Sequence, residues 1–187
     1  MYHIMNINIS PLVDISRKGD INFHYASGIV KTSKSGFITT GYNDNVPVFR
    51  DYMCRKISCS AKHAEQAAVT NLFKKLASKS RDGKKKLSSK DMRRKIKKYK
   101  IVTIRSRKHN DNDGSIKRNN MTVDGYDILE AAPCKECVKF LLKHGINTVY
   151  FLDANNKIIK LKLSEDTVDD FKLSDAQKQY NKNKYNK

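Results

Sequence analysis

The sequence predicts an α/β fold, and three observations carry that expectation. Five short runs, at 21–30, 37–42, 101–104, 148–152 and 158–163, are rich in β-branched and aromatic residues. Between them lie stretches whose apolar residues recur three and four apart, as on a helix with one buried face. Two motifs with metal-ligand chemistry, His63-Ala64-Glu65 and Pro133-Cys134-Lys135-Glu136-Cys137, each stand at a predicted helix start. With 187 residues, 39% apolar and 30% charged, the chain has room for one domain with an ordinary core.

In chain order, 1–20 reads as a mixed leader with a short helix near Pro11 to Arg17, and the domain is expected over 21–173. Ile21 to Val30 and Phe37 to Tyr42 flank a turn signal at 31–36 and read as a hairpin. Asn45 to Ser60 is a loop containing Pro47. A helix is expected from about Ala61 to Ala77, with Ala67, Ala68, Leu72, Phe73 and Leu76 on its apolar face. A basic insertion at about 78–100 opens with a flexible linker. It continues as an amphipathic basic helix in which Leu87, Met92, Ile96 and Tyr99 recur at helical spacing.

Ile101 to Ile104 is a short buried strand, and about 109–126 is a polar loop rich in Asn, Asp and Gly. The second motif opens a helix from Cys134 to His144, with Gly145 as its C-cap. Thr148 to Leu152 and Ile158 to Leu163 are separated by a short polar turn. So short a connection makes the pair antiparallel, because parallel strands need a crossover of a dozen or more residues. Ser164 to Leu173 is a short closing helix, and 174–187 reads as a disordered tail.

Cys134 and Cys137 are three apart, so a helix start puts both sulfurs on one face, where the helix N-terminus favours the thiolate. Two thiolates need a further ligand to hold zinc, and a catalytic site leaves the fourth position to water. His63 is the third ligand expected, and Glu65 the acid/base. His63 and Glu65 are two apart and cannot share a face midway along a helix, so they converge on a metal only at its start. Two helix N-termini aimed at one ion is the geometry these spacings require. Cys-x-x-Cys alone also marks redox pairs and structural zinc sites. Joined to His-Ala-Glu upstream and to Pro133, it is far more specific. Cys54 and Cys59 read as small core residues, and His109 as a loop histidine.

With these residues in place, the chain resembles the zinc-dependent cytidine/deoxycytidylate deaminase superfamily, whose signature is H-x-E followed by P-C-x-x-C. The resemblance covers about Gly28 to Leu163. It implies a three-layer α/β/α cytidine-deaminase-like fold with a mixed five-stranded sheet, of the type ending in a C-terminal hairpin. It also implies Zn2+ held by His63, Cys134 and Cys137, with Glu65 as catalytic acid/base. Asn43, Ala64 and Pro133 become candidate substrate-binding positions. Asn43 closes a Gly-x-Asn whose amide contacts ribose in many relatives, although an Asn ending a strand also serves as a turn residue. Two departures bear on substrate: Ala131-Ala132 stand where relatives often carry Ser or Thr, and the metal histidine replaces the cysteine of free-cytidine enzymes.

The implied function is hydrolytic conversion of cytosine to uracil in a cytidine nucleotide or in single-stranded nucleic acid. The alternatives are an adenine deaminase, or a non-catalytic deaminase-fold protein that binds nucleic acid or serves a structural role. The formal charge of +19 is concentrated: residues 74–118 carry 19 Lys and Arg against 4 Asp and Glu. Such a field attracts polyanions. Arg93, Arg94, Lys95, Lys97, Lys98 and Tyr99 are candidate nucleic-acid contacts; the plainer reading of the same helix is a solvated face. Expected partners are a nucleotide or nucleic-acid substrate, RNA or single-stranded DNA, with no membrane, and a homo-oligomer is allowed. No apolar run is long enough to cross a bilayer and no signal peptide is evident, so an intracellular location, cytoplasm or nucleus, is expected.

Overall fold

The computed structural model describes residues 3–4, 7–18, 24–31, 36–44, 48–50, 56–58, 63–78, 89–108, 121–153, 155 and 157–173. Cys54, Cys59, Leu87, His109 and the tail at 174–187 lie outside these. Two small hairpins, β1 (His3–Ile4) with β2 (Ile7–Asn8) and β5 (Val48–Arg50) with β6 (Lys56–Ser58), stand apart from the main sheet.

The main sheet is built on β7 (Tyr99–Lys108), a ten-residue strand far longer than the expected Ile101 to Ile104. Along one edge runs β3 (His24–Lys31), antiparallel, which in turn pairs with β4 (Thr39–Tyr42). The other edge is divided between two neighbours. Near its start β7 pairs in parallel with β10 (Thr148–Leu152), which forms an antiparallel hairpin with β11 (Ile158–Lys162). Near its end β7 pairs with β9 (Tyr126–Leu129), itself paired with β8 (Met121–Val123). The path β11-β10-β7-β3-β4 supplies the five expected strands, and the terminal hairpin is antiparallel as expected. The sheet nonetheless has seven strands. The extra two correct the reading of 109–126 as loop throughout: Asp124 and Gly125, both with positive φ, make the two-residue turn of a hairpin.

Side chains alternate across this sheet and feed two cores. Ile29, Ile101, Val149 and Phe151 face one way and pack against α2 (Ala64–Ser78), α3 (Ser89–Ile96) and α4 (Lys135–Lys143). Val30, Val102, Ile104, Tyr150 and Leu152 face the other way, with α1 (Ser10–Ser16) among the residues packed on them. Helices therefore lie on both faces, giving a mixed α/β sheet in the α/β/α arrangement expected. Ile9, Leu12 and Val13 are fully buried, so the segment expected to be a leader supplies part of the second core.

The basic helix is shorter than its pattern. α3 ends at Ile96; Met92 and Ile96 are buried in the first core, while Tyr99 begins β7 and packs against that core. Its place in the strand removes Tyr99 from the helix face on which stacking was expected. The closing helix is a single 3-10 segment, Glu165–Asp170.

Gly41 sets how closely α2 approaches the sheet. A Cβ there would stand 2.3 Å from the Ala68 backbone nitrogen. Thr39 Oγ1 donates to the Ala68 carbonyl, and Asn71 Nδ2 and Lys75 Nζ donate to the carbonyls of Thr40 and Ile38. The helix thus runs antiparallel to β4 and covers outward-facing carbonyls of that strand. Its N-terminus comes to the end of β4 where Tyr42 leads into Asn43.

Candidate metal centre

Both motifs place ligands at helix caps. The His63 carbonyl accepts from Ala67 N (3.0 Å), and His63 N donates to Gln66 Oε1 (3.2 Å), half of a capping box. His63 is therefore the residue that caps α2, just ahead of its first turn. Cys134 is the N-cap of α4, with extended backbone, and its sulfur accepts from Cys137 N at 3.5 Å. Pro133, buried immediately before it, restricts Ala132 to extended conformations and ends the approach to the helix. Gly145, with φ +84°, closes the far end of α4 as expected: its N–H bonds to Leu142 O and that of Ile146 to Leu141 O.

The two caps meet. His63 Nδ1 lies 3.5 Å from Cys134 Sγ and 3.2 Å from Cys137 Sγ. The three ligand atoms all fall within 4.8 Å of one another, a group that can hold a metal ion. Tetrahedral zinc with about 2.05 Å to nitrogen and about 2.3 Å to sulfur separates those atoms by about 3.5 Å. The observed pairs match that edge, and one imidazole with two sulfurs is a donor set suited to a borderline-soft cation.

Glu65 is 4% exposed, and its Oε2 is 3.4 Å from Cys137 Sγ. Burial pushes its carboxyl above the usual range, and the Cys134 charge adds to this while His63 opposes it. The hydrogen bond from Cys137 lowers Cys134 to about 4, with His63 assisting against burial. Burial raises Cys137 well above an ordinary thiol, reinforced by Cys134 and Glu65. Burial would lower His63, but the Cys134 hydrogen bond and the charges of Cys134 and Glu65 outweigh it, and the net shift is upward. Without a metal, then, the cysteines share one negative charge. A dication at their centre would draw the proton from the second.

The other expected positions distribute as follows. Ala64 is fully buried as the first residue of α2, between the ligand and the carboxylate. Asn43 is buried at the end of β4, where its Oδ1 accepts from Tyr25 N (2.8 Å) and its N donates to Tyr25 O (3.2 Å). Its carboxamide oxygen thus closes the sheet. Arg94, Lys95, Lys97 and Lys98 are exposed, Arg94 pairing with Asp91 at 3.4 Å. They stand beside the start of β7, whereas the metal group lies level with its later residues, on the order of 20 Å along the strand. Arg93 lies on α3.

Two side chains not singled out from sequence, Tyr25 and Arg105, face the same side of the sheet as the metal group. Among the described residues, no helix is long and apolar enough to cross a membrane. In comparisons with family models, with curated proteins and with solved structures, nothing matches this chain.

Proposed function

We propose that this protein is a zinc-dependent hydrolytic deaminase that converts cytosine to uracil in a cytidine nucleotide or in single-stranded nucleic acid. One observation carries the reading: among the described residues one imidazole and two thiols converge within 4.8 Å, with a buried carboxylate of raised pKa beside them that is not itself one of the three. A structural zinc site is closed by four ligands, whereas a catalytic site keeps a position open. Zinc, when bound, supplies Lewis-acid activation of water near neutral pH.

His63, Cys134 and Cys137 would hold the metal. Glu65 does the proton work: a carboxyl raised toward the operating pH both takes and returns a proton efficiently. It would accept one proton from the attacking water and pass it to the ring nitrogen, then take the second from the hydroxyl of the adduct as the carbonyl forms and deliver it to the amino group, which leaves as ammonia. Ala64 and Pro133 shape the wall against which the base lies. A base within a duplex cannot reach so enclosed a group, so a polynucleotide substrate would be single-stranded or flipped out. The test is ammonia release by the zinc-loaded protein from cytidine, deoxycytidylate, adenosine and a cytosine-bearing single-stranded oligonucleotide. Turnover of a cytosine substrate supports the reading. Turnover of adenosine alone moves the chemistry to adenine, and no turnover with zinc bound refutes catalysis.

A further inference from the structure

One buried side chain beside the metal group meets a ligand residue through its backbone. Gln66 is 5% exposed, and its Oε1 accepts from His63 N at 3.2 Å. The His63 carbonyl accepts from Ala67 N at 3.0 Å. Both backbone polar groups of this ligand residue are therefore bound, one by the helix and one by a side chain. The helical run of α2 begins at Ala64, so the N–H of His63 has no partner in the helical ladder. Gln66 supplies one from three positions further on, the offset at which a glutamine or glutamate reaches back to a helix cap.

The two caps of the metal group are built differently. At α4 the ligand caps its own helix: Cys134 Sγ accepts from Cys137 N at 3.5 Å. The atom that would bind the ion is thus fixed by the helix it starts. At α2 the ligand atom points away from the helix, His63 Nδ1 lying 3.2 Å from Cys137 Sγ and 3.5 Å from Cys134 Sγ. Its imidazole is carried on a backbone outside the helical run, and Gln66 holds the N–H of that backbone. Gln66 is itself held, because its carbonyl accepts from Oγ1 of the buried Thr70 at 2.7 Å. Metal–ligand distances tolerate errors of only about 0.2 Å. Freedom at the His63 backbone would therefore pass directly to the ion.

We propose that Gln66 is a positioning residue: by accepting from His63 N it presents the imidazole to the two sulfurs and so sets how tightly the centre holds zinc. An outer partner of a ligand is worth about 10- to 100-fold in metal affinity. The role is in metal retention, whatever the loaded protein does to cytosine.

Zinc affinity, read by competition against a chromophoric chelator, tests this apart from activity. Gln66→Met keeps the length of the side chain and removes the acceptor, and zinc should bind about 10- to 100-fold more weakly. Gln66→Glu restores an oxygen at the same reach and should hold zinc as the unaltered protein does. Ala68→Gly loosens the same helix and leaves the cap bond in place, so it should lower the melting temperature without changing zinc affinity. Cobalt in place of zinc gives a second readout. Its visible absorption reports ligand geometry, and it should shift in Gln66→Met and return in Gln66→Glu. If Gln66→Met does not fold, as read by circular dichroism, Gln66→Asn takes its place, its amide one methylene short of His63 N.

Unchanged zinc affinity in Gln66→Met would overturn the proposal, by reducing the bond to an ordinary helix cap. An equal loss in Gln66→Glu or in Ala68→Gly would overturn it too, by tracing the effect to packing or to helix stability. An unaltered protein that binds neither ion overturns it together with the metal centre. Tight zinc binding governed by Gln66, with no ammonia released, refutes catalysis and leaves the positioning role intact.

Discussion

Glu65 Oε2 lies 3.4 Å from Cys137 Sγ, although 72 residues separate them in the chain. The carboxylate is beside the ligand group and outside it, so Glu65→Gln should leave zinc content at one per chain. Turnover should fall by about 10²- to 10⁴-fold, the range for removing one general acid/base. Metal analysis alongside ammonia release checks both halves, and loss of zinc in the variant would reassign Glu65 as a ligand.

The same burial makes a pH prediction for the metal-free protein. Glu65 has its pKa raised on folding. Its contribution to stability is therefore full below the unfolded carboxyl value and is lost as pH rises through the raised one. Glu65→Gln should flatten that fall in denaturant titrations of the chelated protein across the mildly acidic range.

The two cysteines should react unequally once metal is removed. Cys134 is lowered to about 4 and Cys137 is raised well above an ordinary thiol. Iodoacetamide at mildly acidic pH should label Cys134 and spare Cys137, as read by peptide mass, and zinc should protect both. Preferential labelling of Cys137 would contradict the charge distribution.

An ion held by His63, Cys134 and Cys137 would tie the cap of α2 to the first turn of α4, so if that ion is the proposed zinc, chelation should destabilise the fold. At free zinc about a thousandfold above Kd, the stabilisation is about 4 kcal/mol. Thermal melts with and without chelator measure it. His63→Ala should remove the zinc-dependent increment.

Two glycines separate backbone from side-chain clashes. An added Cβ at Gly41 meets the Ala68 backbone nitrogen at 2.3 Å, and one at Gly28 meets the Phe37 ring at 2.2 Å. Phe37 is half-buried and can rotate, but the helix backbone cannot yield. Gly41→Ala should cost about 3 kcal/mol or more, and Gly28→Ala less. Equal costs in urea unfolding would show that α2 shifts freely over β4.

Neutralising Arg93, Arg94, Lys95, Lys97 and Lys98 together tests the basic helix. For every phosphate that these cations neutralise in the unaltered protein, the salt slope of single-stranded oligonucleotide binding should become shallower by about 0.7. An unchanged slope assigns α3 to solvent.

The candidate metal group was legible in the sequence because it rests on local facts. A Cys-x-x-Cys at a helix start puts two sulfurs together whatever the remainder of the chain does, and His63 and Glu65, two apart, can converge only at a cap. The terminal hairpin was equally local, fixed by a short connection. The β8–β9 hairpin was missed although its signal was present: Asp124-Gly125 stands between two short β-rich runs, after a long polar stretch that reads as loop. Tyr99 misled because helical spacing continued past Ile96, while pairing with Lys31 drew it into β7.

The sequence by itself determined which atoms could hold a metal and the order of helices and strands around them. Only the tertiary structure decided that α1 belongs to the core, that the basic helix stands at the far end of β7, and that Asn43, Tyr25 and Arg105 lie in one row across the sheet. The reason is physical: ligand geometry at a cap follows from neighbours a few residues apart, whereas a row across a sheet depends on register between strands many residues distant, set by the packing of both faces.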